Sequence, residues 1–194
     1  DTGYNPYYSY NRNSSSTRTF GSTEASVDYQ RSTHRKDELL TISYKFENNP
    51  NDSKSSVLLD NLSGAVPPIL ARSQNNRNKA STNEHTAQLD YTRPTWKGQK
   101  LETGAKFILR KSNSETERRQ SDTLVLDPSN DFKHTQNIYS AYLSYNIKVK
   151  KFEVKAGVRE ESTSQKVKYN LSPNMNFSTS YSNLVPSFSI SYMK

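Results

Sequence analysis

Apolar side chains occupy every second position in several segments of this chain, and polar side chains fill the positions between them. Around residues 151–162, for example, Phe152 and Val154 alternate with Glu153 and Lys155. A period of two predicts a β-strand with one apolar and one polar face. The sequence therefore predicts an all-β fold of about seven strands, at 19–31, 37–47, 82–92, 99–110, 135–147, 151–162 and 184–193.

The connections between these segments alternate in length. We expect short connections at 32–36, 93–98 and 148–150, and long ones at 48–81, 111–134 and 163–183. Transmembrane β-barrels have short turns at the periplasmic end and long extracellular loops. The pattern therefore predicts the wall of an antiparallel up-and-down transmembrane β-barrel in a single domain, 19–194, with a loop over 1–18.

Alternation also predicts which side chains share a face, and we expect charges to be confined to one of the two faces. The predicted lipid-facing residues are Leu40, Ile42, Tyr44, Phe46, Leu101, Ala105, Phe107, Leu109, Tyr139, Ala141, Leu143, Tyr145, Phe152, Val154, Ala156 and Val158. The predicted lumen-facing residues are Asp90, Glu102, Lys106, Lys155 and Arg159. A soluble sandwich has the same alternation, so this feature alone does not choose between the two folds.

Aromatic residues are placed near both ends of the predicted strands. One set lies beside the short turns or the C-terminal end, at Tyr29, Tyr91, Trp96, Tyr145, Phe152 and Tyr192. A second set is expected nearer the long-loop end, at Phe46, Phe107, Tyr139 and Phe188. Two such rings match the aromatic girdles of a transmembrane barrel, although aromatic residues favour strands in any protein.

Composition narrows the class of protein. Of the 194 residues, 31% are hydrophobic, and the net charge is +8. Low hydrophobicity with high charge is typical of disorder, but the 11% of aromatic residues and the alternation oppose it here. The sequence contains no cysteine, which excludes disulfides and thiolate metal sites. The first residues lack Met and a signal-peptide pattern, so we expect a mature product or an internal fragment.

The sequence offers no arrangement for catalysis. His34, His85 and His134 have no partner at metal-ligand spacing, and there is no Gly-x-Ser-x-Gly elbow. The adjacent carboxylates Glu160 and Glu161 would point to opposite faces of a strand. We therefore predict that the chain is not an enzyme and has no catalytic, cofactor or metal site.

Basic residues flank the three short turns at Arg31, Arg35, Lys36, Arg93, Lys97, Lys100, Lys148, Lys150 and Lys151. They are either ordinary turn residues or a surface for anionic lipid headgroups. A nucleic-acid surface would need a basic groove interleaved with stacking aromatics. Here the aromatic residues share a face with Leu, Val and Ile instead, so we predict no nucleic-acid partner.

Three parts of the chain resemble the β-barrel domain of TonB-dependent outer-membrane receptors. They are residues 88–94 (QLDYTRP) with 100–106, residues 136–143 (QNIYSAYL) with 152–161, and residues 183–192 (NLVPSFSISY). The resemblance covers about 80–194 well and 19–60 loosely. The family has a 22-stranded barrel with a plugged lumen, so we expect this chain to be about a third of the wall, with the plug, energy-coupling segment and final strands outside it.

The resemblance implies energised uptake of a scarce nutrient such as a metal chelate, glycan or peptide. The implied partners are outer-membrane lipid, the plug and remaining strands of the same protein, and the inner-membrane TonB complex. The implied location is the outer membrane of a Gram-negative bacterium. The long connections 48–81 and 111–134 are where we expect cargo contact. The alternative is a soluble β-sandwich or barrel module that binds a glycan, a protein or single-stranded nucleic acid.

Overall fold

The computed structural model describes residues 8–33, 35–64, 72–121, 123–125 and 131–192. Their strands form one antiparallel sheet, connected in the order β1-β3-β4-β5-β7-β8-β9, with β2 also paired to β3 and β6 to β5. A 3₁₀ turn at Pro173–Met175 precedes the last strand. The strands are β1 (Tyr8–Phe20), β2 (Thr23–Ser32), β3 (Leu39–Gly64), β4 (Ser73–Pro94), β5 (Gln99–Gln120), β6 (Thr123–Val125), β7 (Phe132–Val149), β8 (Phe152–Tyr169) and β9 (Phe177–Tyr192).

The predicted all-β, antiparallel fold is confirmed, and the sheet remains open at β1/β2 and at β9. No helix among the described residues is long and apolar enough to cross a membrane.

Strands β1 and β2 together occupy one edge of the sheet. β1 pairs with the second part of β3, and β2 pairs with the first part. The interruption at Gly21 lies opposite Pro50, whose carbonyl accepts the Gly21 N–H at 3.1 Å. Proline has no N–H to return, so the ladder is broken at this point. If β1 and β2 are counted as one interrupted strand and the short β6 is left out, the described sheet has seven long strands, which is the number that the alternation predicts.

The expectation of a loop over residues 1–18 is wrong for residues 8–18, which belong to β1; residues 1–7 lie outside the described part. The alternation of apolar and polar residues does not reveal this strand, because most of the side chains on both of its faces are polar. Its side chains pair with polar partners on β3: Asn13 donates to Asp60 at 2.7 Å and Arg18 donates to Asn51 at 2.7 Å.

The long connections predicted at 48–81, 111–134 and 163–183 are also mostly strand. β3 continues to Gly64, β5 to Gln120 and β8 to Tyr169, each well beyond the last apolar residue of its alternating segment. Backbone ladders need no apolar side chain, and these extensions are mostly polar, apart from Val57, Leu58, Leu59 and Leu62 on β3 and Val167 and Tyr169 on β8. The three short turns are found close to their predicted places, and the longer connections all lie at the other end of the strands.

The apolar side chains form a band that runs obliquely across the sheet. At the short-turn end, Leu40 aligns through Tyr91 and Thr103 with Leu143. On β9, five strands away from β3, the band ends at Tyr192. Tyr192 aligns through Phe152 with Val149 of β7, which lies six residues beyond Leu143. The end of the band therefore moves by six residues between β3 and β9. A shift of about 20 Å along the strands over about 24 Å across them corresponds to a strand tilt of about 40°. Membrane barrels tilt their strands by ~35–45°.

Burial in this sheet is the reverse of burial in a soluble protein. The buried residues among those described are Ser144, Asn146, Thr163 and Val167, which all project from the same face. Many large apolar side chains of the opposite face, such as Leu143 at 48%, are exposed, and the others are half-buried. We infer that the polar face is concave and the apolar face convex.

Candidate functional site: the polar face of the sheet

The strand register places all of the predicted lipid-facing residues on one face, which we call the apolar face. Ile42, for example, aligns through Leu89 and Ala105 with Ala141. The five predicted lumen-facing residues all project from the opposite face, which we call the polar face. The register therefore brings together the residues that alternation grouped. That the apolar face meets lipid and the polar face a lumen remains a prediction.

The centre of the polar face holds a hydrogen-bonded group around Asp90. The Tyr142 hydroxyl donates to Asp90 Oδ1 at 2.7 Å, and the Gln88 amide donates to Asp90 Oδ2 at 2.7 Å. Asp90, Gly104 and Tyr142 share one row on β4, β5 and β7. The Tyr142 side chain therefore crosses β5 over Gly104, which has no side chain to obstruct it, and ties β7 to β4.

A second group surrounds Glu102 near the short-turn end. Lys100 lies 2.5 Å from one carboxylate oxygen, while Lys155 contacts the other and Ser144 donates to it at 3.2 Å. Only 17% of the Glu102 side chain is exposed. Two cations thus neutralise a half-buried carboxylate across β5 and β8, as a charge removed from water requires.

The remaining predicted lumen-facing residues differ in their pairing. Arg159 pairs with Glu161 at 2.7 Å, along the same strand. Lys106 has no ion-pair partner among the described residues, so its charge is available to a group outside this chain segment. The unpredicted pair Arg110 and Glu84, 2.7 Å apart, extends the polar face toward the long-loop end.

Glu160 corrects the expectation that charges are confined to one face. It lies on the apolar face, opposite Ala141 and Leu184, and accepts a hydrogen bond from Ser182 at 3.3 Å. The apolar band ends at this level of β8, where Ser162 follows on the same face. A glutamate near an interface is far less costly than a charge at the bilayer midplane.

Aromatic clusters occupy both ends of the apolar face. At the long-loop end, the ring centroids of Phe107 and Tyr139 are 4.9 Å apart, and His85 lies 5.0 Å from Phe46. At the short-turn end, Phe152 and Tyr192 are 5.3 Å apart. The expectation that Phe188 lies near the long-loop end is wrong, because it aligns with Ala156 and Tyr145, only four residues from Tyr192.

Beyond the apolar band, Asp52 on β3 and Arg77 on β4 form a two-pronged ion pair. The Arg77 Nε and Nη2 atoms donate to the two Asp52 oxygens at 3.1 and 2.6 Å. These hydrogen bonds hold the pKa of the Asp52 carboxyl below its usual value and raise the pKa of Arg77. The pair therefore links two polar strand extensions.

The pKa shift of Asp52 predicts a dependence of stability on pH. Because the folded-state pKa is lowered, the contribution is fully present above the unfolded value of 3.8 and is lost as the pH falls through the folded value. We expect Arg77→Gln to make unfolding of the refolded protein less sensitive to pH as the pH falls below about 4. Urea midpoints measure this, with Arg119→Gln, whose partner Glu117 lies on the same strand, as control. Equal slopes in the two variants would contradict the assignment.

The two described histidines do not assemble a site with acidic residues. His85 hydrogen-bonds the Tyr44 hydroxyl at 2.8 Å, His134 lies 3.3 Å from Gln165, and His34 lies outside the described residues. Across the described ranges, no three His, Asp or Glu side chains are grouped closely enough to hold a metal ion.

These geometric features coincide with a family match. The model of the outer membrane protein beta-barrel family matches residues 31–193. The chain belongs to this family. Membership confirms the expected fold and the location in the outer membrane of a Gram-negative bacterium, and identifies the open sheet as part of a barrel wall. Family membership therefore excludes the alternative fold, a soluble β-sandwich or barrel module.

Several solved structures are similar to this barrel wall. The unliganded ferric citrate transporter FecA aligns with a TM-score of 0.48 and 12% identity, over 80% of this chain and 25% of that one. The FrpB iron transporter from Neisseria meningitidis gives 0.45 and 10%, over 90% and 34%. The ferric yersiniabactin uptake receptor FyuA from Yersinia pestis gives 0.31 and 10%, over 79% and 25%. The chain thus spans between a quarter and about a third of these structures. No curated protein matches the sequence.

Proposed function

We propose that this chain is a section of the wall of an outer-membrane transporter that takes up a scarce nutrient, energised by the inner-membrane TonB complex. The observation that carries the proposal is the reversal of burial, in which polar residues such as Asn146 are shielded and apolar residues such as Leu143 are exposed. A wall between lipid and a wet lumen requires this arrangement. Family membership and the resemblance to TonB-dependent receptors support the transport role.

The polar face is suited to a passive role around a plug. Most of its charges are already paired within the wall, as at Glu102 and Arg159, so the face is rigid and close to neutral there. Lys106 remains available for a carboxylate of the plug. In this proposal the wall catalyses no reaction; it positions the plug and encloses the path.

Cargo contact is proposed at the long-loop end. The strand extensions beyond the apolar band, residues 47–64, 73–84 and 111–120, are mostly polar and would project outside the membrane. Connections at this end carry the loops, and binding residues in barrels concentrate on loops held by a rigid scaffold. The cargo class is a metal chelate, a glycan or a peptide.

The facing of the wall is tested with adjacent residues of β7. This chain contains no cysteine, so Leu143→Cys and Ser144→Cys each add one thiol to it, on opposite faces of one strand; any cysteine elsewhere in the whole protein is first replaced by serine. In the whole protein reconstituted in vesicles, we expect a fluorophore at position 143 to be quenched by lipids carrying a nitroxide on the acyl chain. The fluorophore at 144 should be quenched only weakly. Equal quenching at both positions, or the reverse order, would exclude the proposed facing.

The energised uptake is tested in cells. We expect an in-frame deletion of the gene to remove uptake of one member of a panel of iron chelates, glycans and peptides, and dissipation of the protonmotive force to remove the same uptake. Uptake that continues after the protonmotive force is dissipated would contradict the proposed energisation but not the proposed role as part of a barrel wall. Uptake unchanged by the deletion across the panel would overturn the transport role.

A further inference from the structure

Four aromatic side chains lie on the polar face of the sheet, beyond the long-loop end of the apolar band. This aromatic patch consists of Phe132 on β7, Tyr169 on β8, and Phe177 and Tyr181 on β9. The register pairs Phe132 with Tyr169, and it aligns Phe177 through Val167 with His134. Most aromatic residues within the band, such as Phe107 and Tyr139, project from the apolar face. The aromatic side chains therefore change face where the band ends.

The rings of the patch are open to the inner side of the wall. Phe177 is 50% exposed and Tyr181 is 48% exposed, while the ring centroids of Phe132 and Tyr169 are 5.9 Å apart. Strand side chains stand roughly perpendicular to their sheet, so a further wall strand beside β9 would leave the ends of these side chains uncovered. Exposed apolar patches of this kind mark binding sites. Lipid does not reach the inner side, so the ligand comes from within the barrel or through its mouth.

The height of the patch places it in the mouth of the barrel. Phe132 and Phe177 each lie seven residues beyond the last apolar residue of their strand on the apolar face, Tyr139 and Leu184 respectively. Seven residues of a strand tilted by about 40° rise about 18 Å. The polar layer on each side of a bilayer is only about 5–8 Å thick. The two phenylalanines therefore lie outside the bilayer, where a molecule arriving from the long-loop end would meet them.

The patch occupies a stretch of the polar face without charged side chains. Over residues 132–138 of β7 and the aligned rows of β8 and β9, the described polar face carries no Asp, Glu, Lys or Arg. Charged residues make up 24% of the chain. The flanking charges on this face, Arg110 and Glu161, are already held in ion pairs within the wall. An anionic chelate or a peptide with charged ends would lack a counterion here, so the patch favours neutral cargo.

Hydrogen-bonding side chains lie between the rings. Gln165 donates to the Tyr181 hydroxyl at 3.5 Å, and its carbonyl oxygen is 3.3 Å from His134 Nε2. The Tyr181 hydroxyl therefore keeps its own proton for a ligand. Aromatic rings with a few polar groups between them are typical of ligand sites. A sugar matches them, because the C–H groups of one of its faces pack on a ring while its hydroxyls reach the polar groups.

We propose that the aromatic patch binds a neutral oligosaccharide as it enters the barrel. The proposal rests on the proposed function, which puts the long-loop end outside the cell, and it narrows the cargo to a glycan. Phe177 and Tyr181 are four residues apart on one face of β9, a separation of about 13 Å. One sugar ring is too short to contact both, so the ligand has at least two sugar units.

The test uses the whole barrel protein in detergent and isothermal titration calorimetry. The probes are neutral hexasaccharides of glucose, mannose, galactose and xylose, with hexagalacturonic acid, a pentapeptide and ferric citrate as charged probes. The variant Phe177→Leu with Tyr181→Leu removes both rings but keeps apolar side chains on β9. The control Phe177→Tyr with Tyr181→Phe exchanges the two residues and keeps both rings.

We expect at least one neutral hexasaccharide to bind the parent protein and to bind the leucine variant at least about tenfold more weakly. The exchanged control should bind within about threefold of the parent, because both rings remain. The corresponding monosaccharide should bind the parent far more weakly than the hexasaccharide, because it cannot reach both rings.

Three results would overturn the proposal: no binding of any neutral hexasaccharide, tighter binding of a charged probe, or equal binding by the parent and the leucine variant. In the last case, faster protease cleavage of the plug in the leucine variant would assign the rings to the plug instead. Binding in detergent requires no protonmotive force, so a failure of energised uptake in cells would leave this result unaffected. Reversed facing in the quenching experiment would instead contradict the proposed wall.

Discussion

Leu143→Arg is expected to abolish assembly of the whole protein in the outer membrane. Leu143 lies near the middle of the apolar band on β7, between Tyr145 and Ala141 on the same face, and it is 48% exposed. An arginine on the lipid face costs ~2–4 kcal/mol at the bilayer midplane. That energy corresponds to a roughly 30- to 900-fold loss of the inserted state. Phe107→Lys, nearer the interface, should act in the same direction and also removes the ring contact with Tyr139.

The measurement is the amount of protein in the outer-membrane fraction, together with the heat-dependent gel mobility of folded barrels. Lys106→Ala and Ser144→Ala on the polar face should leave both unchanged. Ser140→Arg is the matched control, because it adds the same charge to the same strand but on the polar face, where Glu161 is close enough to pair with it. Assembly that tolerates Leu143→Arg as well as Ser140→Arg would show that the two faces are assigned the wrong way round.

The part of the fold that could be predicted from the sequence is the part in which one face is apolar. Along β7, apolar residues from Tyr139 to Ile147 alternate with polar ones, so both the strand and its facing follow from the pattern. Even the pairing could be anticipated, because a one-residue slip would move an entire apolar set to the other face. The predicted groups of residues therefore agree with the observed register.

The polar extensions could not be predicted in this way. In β1, Asn13, Ser15 and Arg18 form cross-strand hydrogen bonds with β3, but a strand polar on both faces has the composition of a loop. Such strands are specified by their neighbours rather than by their own sequence. The same reasoning explains why β5 is longer than predicted, whereas the β3 extension includes Val57, Leu58 and Leu59, a continuous apolar run without a period of two.

The polar face itself was only partly predictable. Asp90, Glu102 and Lys155 follow from the alternation, but their partners come from strands distant in sequence, as Tyr142 does for Asp90. One local signal was present in the sequence: Gly104 interrupts a regular strand pattern, and a glycine in a strand interior often marks a close approach of neighbouring groups. The position of Glu160 on the apolar face also follows from the alternation, because it lies two residues beyond Val158 on β8.

Gly104→Ala is expected to destabilise the barrel by about 1–3 kcal/mol, the usual range for overpacking. A Cβ atom at this position would lie 2.5 Å from Tyr142 Cε1, 2.6 Å from Asp90 Oδ1 and 2.7 Å from the Leu89 carbonyl oxygen. The tyrosine and the carboxylate can rotate away, but only by breaking their hydrogen bond. The Leu89 carbonyl is part of the β4 backbone and can move only with the strand. The urea midpoint of the protein refolded in vesicles measures the loss.

Gly21→Ala is the matched control, because its added Cβ would meet only Pro50 Cγ at 3.7 Å, an ordinary contact. Tyr142→Ala separates the strain at the tyrosine ring from the strain at the other two contacts. In the double variant Gly104→Ala with Tyr142→Ala, the clash with the ring is gone and Asp90 is released from its hydrogen bond to Tyr142, but the clash with the Leu89 carbonyl remains, so we expect partial recovery of the effect of Gly104→Ala. Full recovery would assign the strain to the tyrosine alone. If Gly104→Ala were as harmless as Gly21→Ala, the close approach of Tyr142 over β5 would be refuted, and with it the tie between β7 and β4.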